Sequence, residues 1–482
     1  MPRRRNERTY RQAHRHRSRA QGDPENQGEK AMKQSVKRVL TILLSAALLA
    51  GGAGCARPGS PDEGNPAASE QPTGATEDAA PEEAPFAPAF PADTAGTIHV
   101  AGHYNNFEAL EAEFDRFNEY YPDVELSYTY LDNYNGTIEV VLSGAEAPDI
   151  FFSYPWMLER EDLKSVIETA EDLADPSLGL NLSCIQEKLL YRDADGRIPI
   201  LPVFCTTYGM LVNEAIFEKE GLNIPRTYDE LLSVCGALQK AGYSSPMMGY
   251  SRGSFMLFPL SFPYFCAEIQ DNDEALENLN ALTPGAGEYA RDALALAADF
   301  LGRGYIDMDA CGRLENDYQA VILRFFEGDV PMMLATAGTV SGTEKRESLS
   351  DAYIAHPFKY SYHPVPSTDA GGYFLNQLSM GFSVNRNSEN LDMANEFMRF
   401  LTRTEELSRM AQVKRMVTPC RDMSFDGVYA AFGALSDERV IYLSDVGLED
   451  APDQQMRRAG TRICNGTMTV NEAVAAFGTL PD

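Results

Sequence analysis

Three predicted loops in the first part of the chain carry aromatic and amide side chains that could bind a neutral ligand. They contain Tyr104 and Asn105, then Tyr134, then Tyr154 and Trp156, which is the single tryptophan of the chain. Flat aromatic faces stack on the C–H faces of a sugar ring, while amides and hydroxyls both donate and accept hydrogen bonds. Tyrosine and asparagine are also common in loops that bind nothing. Taken together, the residues predict noncovalent recognition of a polyhydroxylated molecule.

The elements around these loops would place them at one edge of a sheet. Residues 97–104, 123–131 and 149–154 have the alternation or the apolar character of strands, with helical segments between them. A β-α-β-α-β order forms a parallel sheet with right-handed crossovers, and ligands bind beyond the carboxyl ends of its strands. Each loop follows one strand, so we expect all three loops to share one rim.

A second motif could support catalysis instead. The sequence GYSRG at 249–253 matches the G-x-S-x-G nucleophile elbow of serine hydrolases. An elbow needs an uninterrupted strand before its serine and a helix directly after it, but Pro246 precedes Ser251 and two more prolines follow. No motif selects a carboxylate pair for glycoside hydrolysis. The sequence predicts a protein that is not an enzyme, with hydrolysis by Ser251 as the disfavoured alternative.

The cysteines give no indication of a metal or cofactor. None of the eight forms a C-x-x-C pair or a Cys/His cluster at zinc spacing. We therefore expect no metal and no cofactor. The seven cysteines that follow Cys55 are expected to be mostly free, buried thiols, although the sequence leaves their disulfide state open.

The N-terminal region is predicted to direct export. The apolar run 39–50 is too short to span a bilayer, follows basic residues and precedes small ones, which is the order of a secretory signal. Residues 32–54 are a complete signal peptide when the chain is read from Met32. Residues 1–31 are therefore interpreted as a mis-assigned start or a basic extension.

The end of this signal resembles the lipobox of bacterial lipoproteins. Small residues precede Cys55 as they do in that motif, although Gly52 stands where leucine is usual. The resemblance implies that Cys55 is acylated, for example with palmitate, and anchors the exported protein to the outer face of the cell membrane. Residues 55–96, rich in proline, alanine and glutamate, are predicted to be a disordered linker because they hold few large apolar side chains.

The charge of the chain excludes some partners. The formal net charge is −30, and the basic residues are concentrated before Cys55, so the remainder is strongly acidic. Such a body repels nucleic acid phosphates and anionic lipid surfaces, and neither is expected as a partner. The hydrophobic fraction of 44% is ample for a large core.

The body of the chain resembles family 1 extracellular solute-binding proteins, the sugar-binding components of ABC importers related to maltose-binding protein. Residues 193–231 hold a turn with glycine, an apolar strand, a strand from Tyr208 to Asn213, and then Gly-Leu and Pro-x-Thr-Tyr-x-Glu-Leu. Three more segments match further parts of the family pattern in its order: 147–155, 325–338 and 371–406. The likeness covers about residues 97–415.

This resemblance implies an α/β fold of the two-lobed periplasmic-binding-protein type, with a ligand cleft and hinge strands between the lobes. Lobe one would hold 97–208 and 373–430, and lobe two 209–372. The C-terminal helical segment, 431–482, would belong mainly to lobe two. Hinge strands would cross at the boundaries between these parts, where backbone rotation closes the cleft.

The two-lobed fold predicts ligand contacts from both sides of the cleft. The predicted contacts are Tyr104, Asn105, Tyr134, Tyr154 and Trp156 from lobe one, Tyr208 near the hinge, Ser251, Arg252, Tyr264, Thr336, Gly338 and Thr339 from lobe two, and Tyr373 and Asn376 after the second crossing. The resemblance implies a monomer that captures a small ligand by closure and delivers it to the membrane permease subunits of an ABC transporter.

The ligand class follows from the side chains at the rim. Aromatic and amide residues favour a sugar or short oligosaccharide. The alternatives are an acidic solute paired with Arg252, and a cation such as a polyamine held by acidic groups. A sensor or adhesin subunit that keeps the fold without transport is a further alternative.

Overall fold

The computed structural model describes residues 83–249, 257–314 and 317–481. Its strands are β1 (Gly96–Gly102), β2 (Val124–Tyr130), β3 (Ile150–Ser153), β4 (Leu201–Thr206), β5 (Tyr208–Asn213), β6 (Met247–Met248), β7 (Met332–Thr336), β8 (Tyr360–His363), β9 (Phe374–Val384) and β10 (Val440–Tyr442).

The α-helices lie between and after these strands. They are α1 (Glu108–Phe117), α2 (Tyr134–Leu142), α3 (Lys164–Glu168), α4 (Glu214–Glu220), α5 (Tyr228–Lys240), α6 (Phe258–Ile269), α7 (Asp273–Asn280), α8 (Arg291–Gly302), α9 (Met308–Arg313), α10 (Tyr318–Phe325), α11 (Ala337–Ser341), α12 (Thr343–Glu347), α13 (Asp351–Ala355), α14 (Leu391–Leu401), α15 (Thr404–Lys414), α16 (Leu443–Val446), α17 (Asp450–Cys464) and α18 (Val470–Ala475). Short 3-10 helices are Pro155–Leu158, Glu161–Leu163, Pro176–Leu178, Leu182–Cys184, Glu187–Leu189, Ala286–Ala290, Gly427–Ala434 and Asp437–Arg439.

The first sheet contains the parallel unit that the sequence predicts. Its strand order is β10-β9-β3-β1-β2, with β4 also paired to β9. Strand β1 runs parallel to β2 and β3, which confirms the predicted β-α-β-α-β order. Strand β9 runs antiparallel to β3, so its first residues lie at the same edge as the carboxyl ends of β1 to β3. We call this sheet and its helices lobe one.

Lobe one contains an aromatic core. The ring centroids of Phe107 and Phe152 are 5.6 Å apart, and those of Phe152 and Phe382 are 5.7 Å apart. Helices α1, α14 and α15 pack on one another and on the strands. All three phenylalanines are at most 1% exposed, and burying such side chains supplies the main favourable free energy of this lobe. The core holds β1 and β3 firmly beneath the rim.

The second sheet has the order β6-β7-β5-β8 and forms lobe two. Strand β5 pairs antiparallel with β7 and β8 and is buried along its whole length. The chain passes from the first sheet to the second at Thr207, between β4 and β5. Helices α17 and α18 pack against α8, so the C-terminal helices belong to lobe two, whereas β10 extends the first sheet.

Residues 83–95 lie on lobe one, although the sequence predicts a disordered linker as far as residue 96. Phe86 is only 8% exposed, with its ring centroid 5.0 Å from that of Tyr120 and 5.3 Å from that of Phe400. The backbone N–H of Ala89 donates to Glu396 Oε1 at 2.9 Å. Phe90 also packs against the core, and its backbone N–H donates to the Tyr121 hydroxyl at 3.2 Å, so two aromatic side chains and several hydrogen bonds dock this segment. The rest of the linker, the signal peptide and Cys55 lie outside the described residues.

Among the described residues, no helix is both long enough and apolar enough to cross a membrane.

Candidate functional site

The rim of lobe one brings together three of the predicted aromatic residues. Tyr104 follows β1, and Tyr154 and Trp156 follow β3, all of them half-buried. The rings of Tyr154 and Trp156 are stacked, with centroids 5.3 Å apart and planes 13° from parallel. Pro155 starts the 3-10 helix that carries Trp156, and its fixed φ suits that position. Asn105 is exposed beside them.

His103 contacts two of the three rim residues, Tyr104 and Tyr154. Its Nδ1 lies 2.5 Å from the Tyr154 hydroxyl, and its ring centroid is 4.6 Å from that of Tyr104. Burial, together with the nearby charge of Lys414, lowers the pKa of His103 below its ordinary value. Lys414 Nζ lies 4.7 Å from the centroid of the Tyr104 ring. His103 directly follows β1 in the chain, but Lys414 reaches the rim only because α15 packs on α1.

Tyr134 does not lie in a loop as predicted, because it is the first residue of α2. It is only 4% exposed, and its hydroxyl donates to the carbonyl of Phe152 at 2.6 Å. Burial raises the pKa of this tyrosine well above its ordinary value. Tyr134 therefore supports the rim from beneath, and we assign the surface of the rim to Tyr104, Tyr154 and Trp156.

The hinge side of lobe two holds Tyr208, which is 5% exposed. Its ring packs edge-on against Phe258 and Phe262, with centroid distances of 5.4 and 6.0 Å. Burial raises its pKa, and the charge of Arg457 opposes that rise. The Arg457 guanidinium lies 4.0 Å from the Phe258 ring centroid. Tyr208 therefore offers little exposed surface to a ligand. It packs against Phe258 and Phe262 and interacts with Arg457.

Arg457 and Asp453 form a partly buried ion pair on α17. The two residues are one helical turn apart, and Arg457 Nε donates to Asp453 Oδ2 at 2.8 Å. Burial raises the pKa of Asp453, because it disfavours the charged carboxylate. The other carboxylate oxygen, Oδ1, is buried and has no hydrogen-bond partner within the described parts of the chain. That oxygen is available as an acceptor.

A groove of about 900 Å³ separates the rim of lobe one from α17. Its lining residues are Asn135, Trp156 and Arg160 on one side, and Asp450, Asp453, Gln454, Arg457, Arg458, Thr461, Arg462, Asn465, Thr467 and Pro481 on the other. At one end the lobes touch, since the backbone N–H of Asp450 donates to Glu159 Oε2 at 2.9 Å. Trp156 is the member of the predicted set that lines this groove. The sequence reasoning missed the whole α17 wall.

The remaining predicted residues of lobe two cluster near the hinge. Thr336 pairs with Tyr208 across the second sheet and caps α11 by accepting from the N–H of Thr339, which is 3% exposed. Gly338 lies in the first turn of the same short helix. Both threonine side chains therefore have a structural role at the start of α11. Ligand contact by either of them stays a prediction. Ser251 and Arg252 lie outside the described residues.

Tyr264, Tyr373 and Asn376 lie near the second crossing. Tyr264 and Tyr373 are half-buried, and the Arg439 guanidinium lies 4.8 Å from the Tyr373 ring centroid. Asn376 is fully buried in β9, where its amide has no well-formed hydrogen bond within residues 83–249, 257–314 and 317–481. Burial raises the pKa of the neighbouring Tyr442, and the Asn376 amide opposes that rise. Ligand contact by these three residues stays a prediction.

A larger cavity, of about 1210 Å³, lies between β8 and α15, and none of the predicted site residues that the structure describes lines it. It is lined by His363 and Arg415 among others. Burial lowers the pKa of His363 to about 4, so this imidazole is neutral at pH 7. The aromatic rim and this cavity are therefore separate features.

No group of three or more histidine, cysteine or acidic side chains within the described parts of the chain is placed to hold a metal ion. The rim and groove instead combine aromatic faces, charged groups and one unpaired carboxylate oxygen. This arrangement suits recognition of a polar molecule with apolar faces.

Comparison with known proteins gives one family match. Residues 101–407 match the model of the family described as bacterial extracellular solute-binding protein. The comparison with curated protein sequences gives no match.

Solved structures with the same fold include three sugar-binding proteins. RafE, known from Streptococcus pneumoniae and solved with raffinose, is 18% identical with a TM-score of 0.60, over 80% of this chain and 99% of its own. The GacH receptor of Streptomyces glaucescens, solved with acarbose, is 15% identical with a TM-score of 0.61, over 80% and 97%. MalE from Xanthomonas citri is 15% identical with a TM-score of 0.61, over 80% and 95%. These similarities confirm the predicted two-lobed fold.

Proposed function

The chain belongs to the bacterial extracellular solute-binding proteins, and from that premise we propose that it binds a sugar or short oligosaccharide between its lobes. The observation that carries the proposal is the stacked Tyr154–Trp156 pair at the edge of a groove of about 900 Å³. That volume lies within the usual range for small-molecule sites. The likeness to RafE and GacH, solved with raffinose and acarbose, supports the same ligand class.

The groove offers complementary groups for the two kinds of surface on a sugar. The indole of Trp156 presents an aromatic face for C–H groups, and Asp453 Oδ1 is an unpaired acceptor for a hydroxyl. The Arg160 guanidinium lies 5.3 Å from the Trp156 ring centroid, so stacking requires it to move. Its side chain is 43% exposed and pairs with Asp162, whose side chain is 63% exposed, and such surface contacts are weak. The displacement therefore opposes binding only slightly.

Binding is proposed to occur by lobe closure without catalysis. A ligand that contacts Trp156 on lobe one and α17 on lobe two interacts more strongly with the closed form than with the open form, and so raises the closed population. We propose that this closed form delivers the ligand to ABC permease subunits. The family is a solute-binding class, which supports binding as the whole activity of the chain.

We also propose that the protein acts outside the cell as a lipid-anchored monomer. The signal at 32–54 and the small residues before Cys55 support export and acylation at that cysteine. Mass spectrometry of the mature N-terminus tests this, with a diacylated Cys55 as the expected product. A free N-terminus at another residue would contradict the anchor and leave the binding proposal intact.

A ligand screen tests the sugar proposal directly. Purified protein is mixed with raffinose, maltotriose, a chitin oligosaccharide, spermidine and glutamate, and the melting temperature is measured by scanning fluorimetry. At least one sugar should raise the melting temperature, because a ligand that binds only the folded state stabilises it by mass action. A rise with spermidine or glutamate and none with any sugar, including monosaccharides, would overturn the proposal.

A second ligand class is favoured by the charges of the groove. Arg160, Arg457, Arg458 and Arg462 all line it, against Asp450 and Asp453. This excess of positive charge favours an acidic solute such as a uronic-acid sugar and opposes a polyamine. Calorimetric titration with galacturonic-acid oligosaccharides and their neutral galactose counterparts separates the two classes. Tighter binding of the acidic series, weakened by salt, would assign the charged ligand.

A further inference from the structure

We propose that Cys184 and Cys420 form a disulfide bond. The bond would stabilise the part of lobe one that contacts the docked segment, residues 83–95. The two cysteines are far apart in the sequence but adjacent in the fold, since Ile185 and Cys420 form an antiparallel β-bridge. The N–H of Arg421 donates to the carbonyl of Cys184 at 2.9 Å, and Gln186 Nε2 donates to the carbonyl of Cys420 at 2.9 Å. These bonds hold the two backbones side by side.

Both thiols lie in the interior of lobe one, with Cys184 8% exposed and Cys420 fully buried. A hydrogen bond between the two thiols lowers the pKa of Cys420 to about 7, while the same bond and burial raise the pKa of Cys184. Both residues are free thiols in the structure, and each affects the pKa of the other, so the two side chains share one interior site. Backbones bridged at neighbouring residues are within the range that a disulfide can span.

Oxidation requires an acceptor of two electrons, and a small-molecule or enzyme disulfide of the extracytoplasmic space can serve. The Cys420 thiolate attacks one sulfur of that disulfide, forms a mixed disulfide and releases one thiolate. Cys184, after losing its proton, then attacks Cys420 Sγ, which forms the Sγ–Sγ bond and releases the second thiolate. The two protons lost by the cysteines convert the two released thiolates to thiols. Because the folded pair is buried, this exchange is expected while lobe one folds.

The disulfide would join two parts of the chain at the place where the docked segment contacts both of them. Cys184 ends the 3-10 helix Leu182–Cys184, and Cys420 follows α15. Glu83 of the docked segment accepts from Asn181 Nδ2 at 2.7 Å and from the N–H of Thr404 at 2.9 Å, on the same two parts. A crosslink between them would keep the surface that receives Glu83 intact. It would also close a very long loop, which restricts the unfolded chain.

Cys205 is the competing partner and therefore the matched control. It is fully buried on β4, and its backbone bridges Val417, three residues before Cys420. The thiol of Cys420 interacts with that of Cys184, whereas Cys205 is affected by Cys420 only through the charge of Cys420. Oxidation should therefore select the pair 184–420 and leave Cys205 as a thiol.

Peptide mapping tests the assignment. The full chain is refolded from denaturant with a mixture of reduced and oxidised glutathione, free thiols are alkylated, and non-reducing digests are analysed by mass spectrometry. A crosslinked peptide containing Cys184 and Cys420 is expected in the wild type and in Cys205→Ser, but not in Cys184→Ser. Both cysteines recovered alkylated, or a 205–420 crosslink as the main product, would overturn the proposal.

Thermal unfolding gives a second readout that does not depend on the Cys184→Ser variant folding well. Reducing the oxidised wild type with dithiothreitol should lower its melting temperature by about 5 °C, as expected for loss of a bond that closes a long loop. The melting temperature of Cys184→Ser should not change on reduction. If reduction also leaves the melting temperature of the wild type unchanged, the result would contradict a stabilising crosslink.

Discussion

The two walls of the groove are built in different ways. The rim of lobe one presents Tyr154 and Trp156 on a short 3-10 helix that directly follows β3, so its shape depends on local sequence and a nearby aromatic core. The wall of lobe two is α17, in which Asp453 and Arg457 form a partly buried ion pair beneath the surface. The comparison teaches that the stacking surface tolerates exposure, whereas the charged wall depends on the ion pair between Asp453 and Arg457.

The largest expected effect is on the charged wall. Arg457→Met should lower the free energy of unfolding by about 3 kcal/mol, because it leaves the buried Asp453 carboxylate without its partner. Urea denaturation measures the change. Arg160→Met on the rim is the matched control and should change stability by less than about 0.5 kcal/mol, since its partner Asp162 is exposed. Equal losses for the two variants would mean that the walls do not differ in this respect.

Trp156→Ala should separate binding from stability. The loss of the stacking surface should weaken the affinity for the ligand found in the screen by about 1–3 kcal/mol, or roughly 5- to 150-fold. The half-buried side chain should contribute only about 1–2 kcal/mol to folding. Calorimetric titration and urea denaturation of the same variant compare the two, with Trp156→Phe as the control that keeps a ring. A destabilised variant with unchanged affinity would return Trp156 to a structural role.

The pH dependence of the rim should follow His103. Its pKa is lowered in the folded state by burial and by Lys414, so the unfolded state binds the proton more readily. The resulting stability is complete above the unfolded pKa of about 6.5 and is lost as the pH falls below it. The free energy of unfolding of the wild type should therefore fall more between pH 7 and pH 5 than that of His103→Gln. Parallel curves for the two proteins would contradict this role.

The smallest effect is expected where the two walls touch. Glu159→Ala removes the acceptor for the N–H of Asp450, a contact between the lobes at the end of the groove. If this contact favours closure, ligand affinity should fall by a few fold, about 0.5–1 kcal/mol, with little change in stability. Glu159→Gln keeps an oxygen acceptor and should bind nearly as the wild type does. Small-angle scattering without ligand would show a larger radius of gyration for the alanine variant.

Local sequence was sufficient for the elements whose signals are short-range. The strand predicted from Tyr208 to Asn213 is β5 with the same bounds, and Thr227 caps α5 through a capping box with Glu230. The alternation of apolar residues and the capping side chains are both contained in a few neighbouring positions. The same holds for the rim, because each of its loops follows a recognisable strand.

The position of a helix start decided which of two predicted tyrosines is buried beneath the rim. Tyr134 and Tyr154 are equivalent in a list of aromatic loop residues, but Tyr134 begins α2 and turns its ring into the core. Helix boundaries are weakly encoded, and a shift of a few residues changes the direction of every side chain in the first turn. Sequence reasoning therefore located the aromatic residues that follow β1, β2 and β3, but it could not tell which of their side chains would be buried.

The sequence by itself determined the parallel unit, the strand from Tyr208 to Asn213 and the family, because each depends on patterns within short stretches of chain. The tertiary structure decided what faces the rim. Arg457 on α17, the contact between Cys184 and Cys420, and the docking of Phe86 all join segments that are distant in the sequence. Such contacts are fixed by the packing of whole elements, which no local pattern encodes.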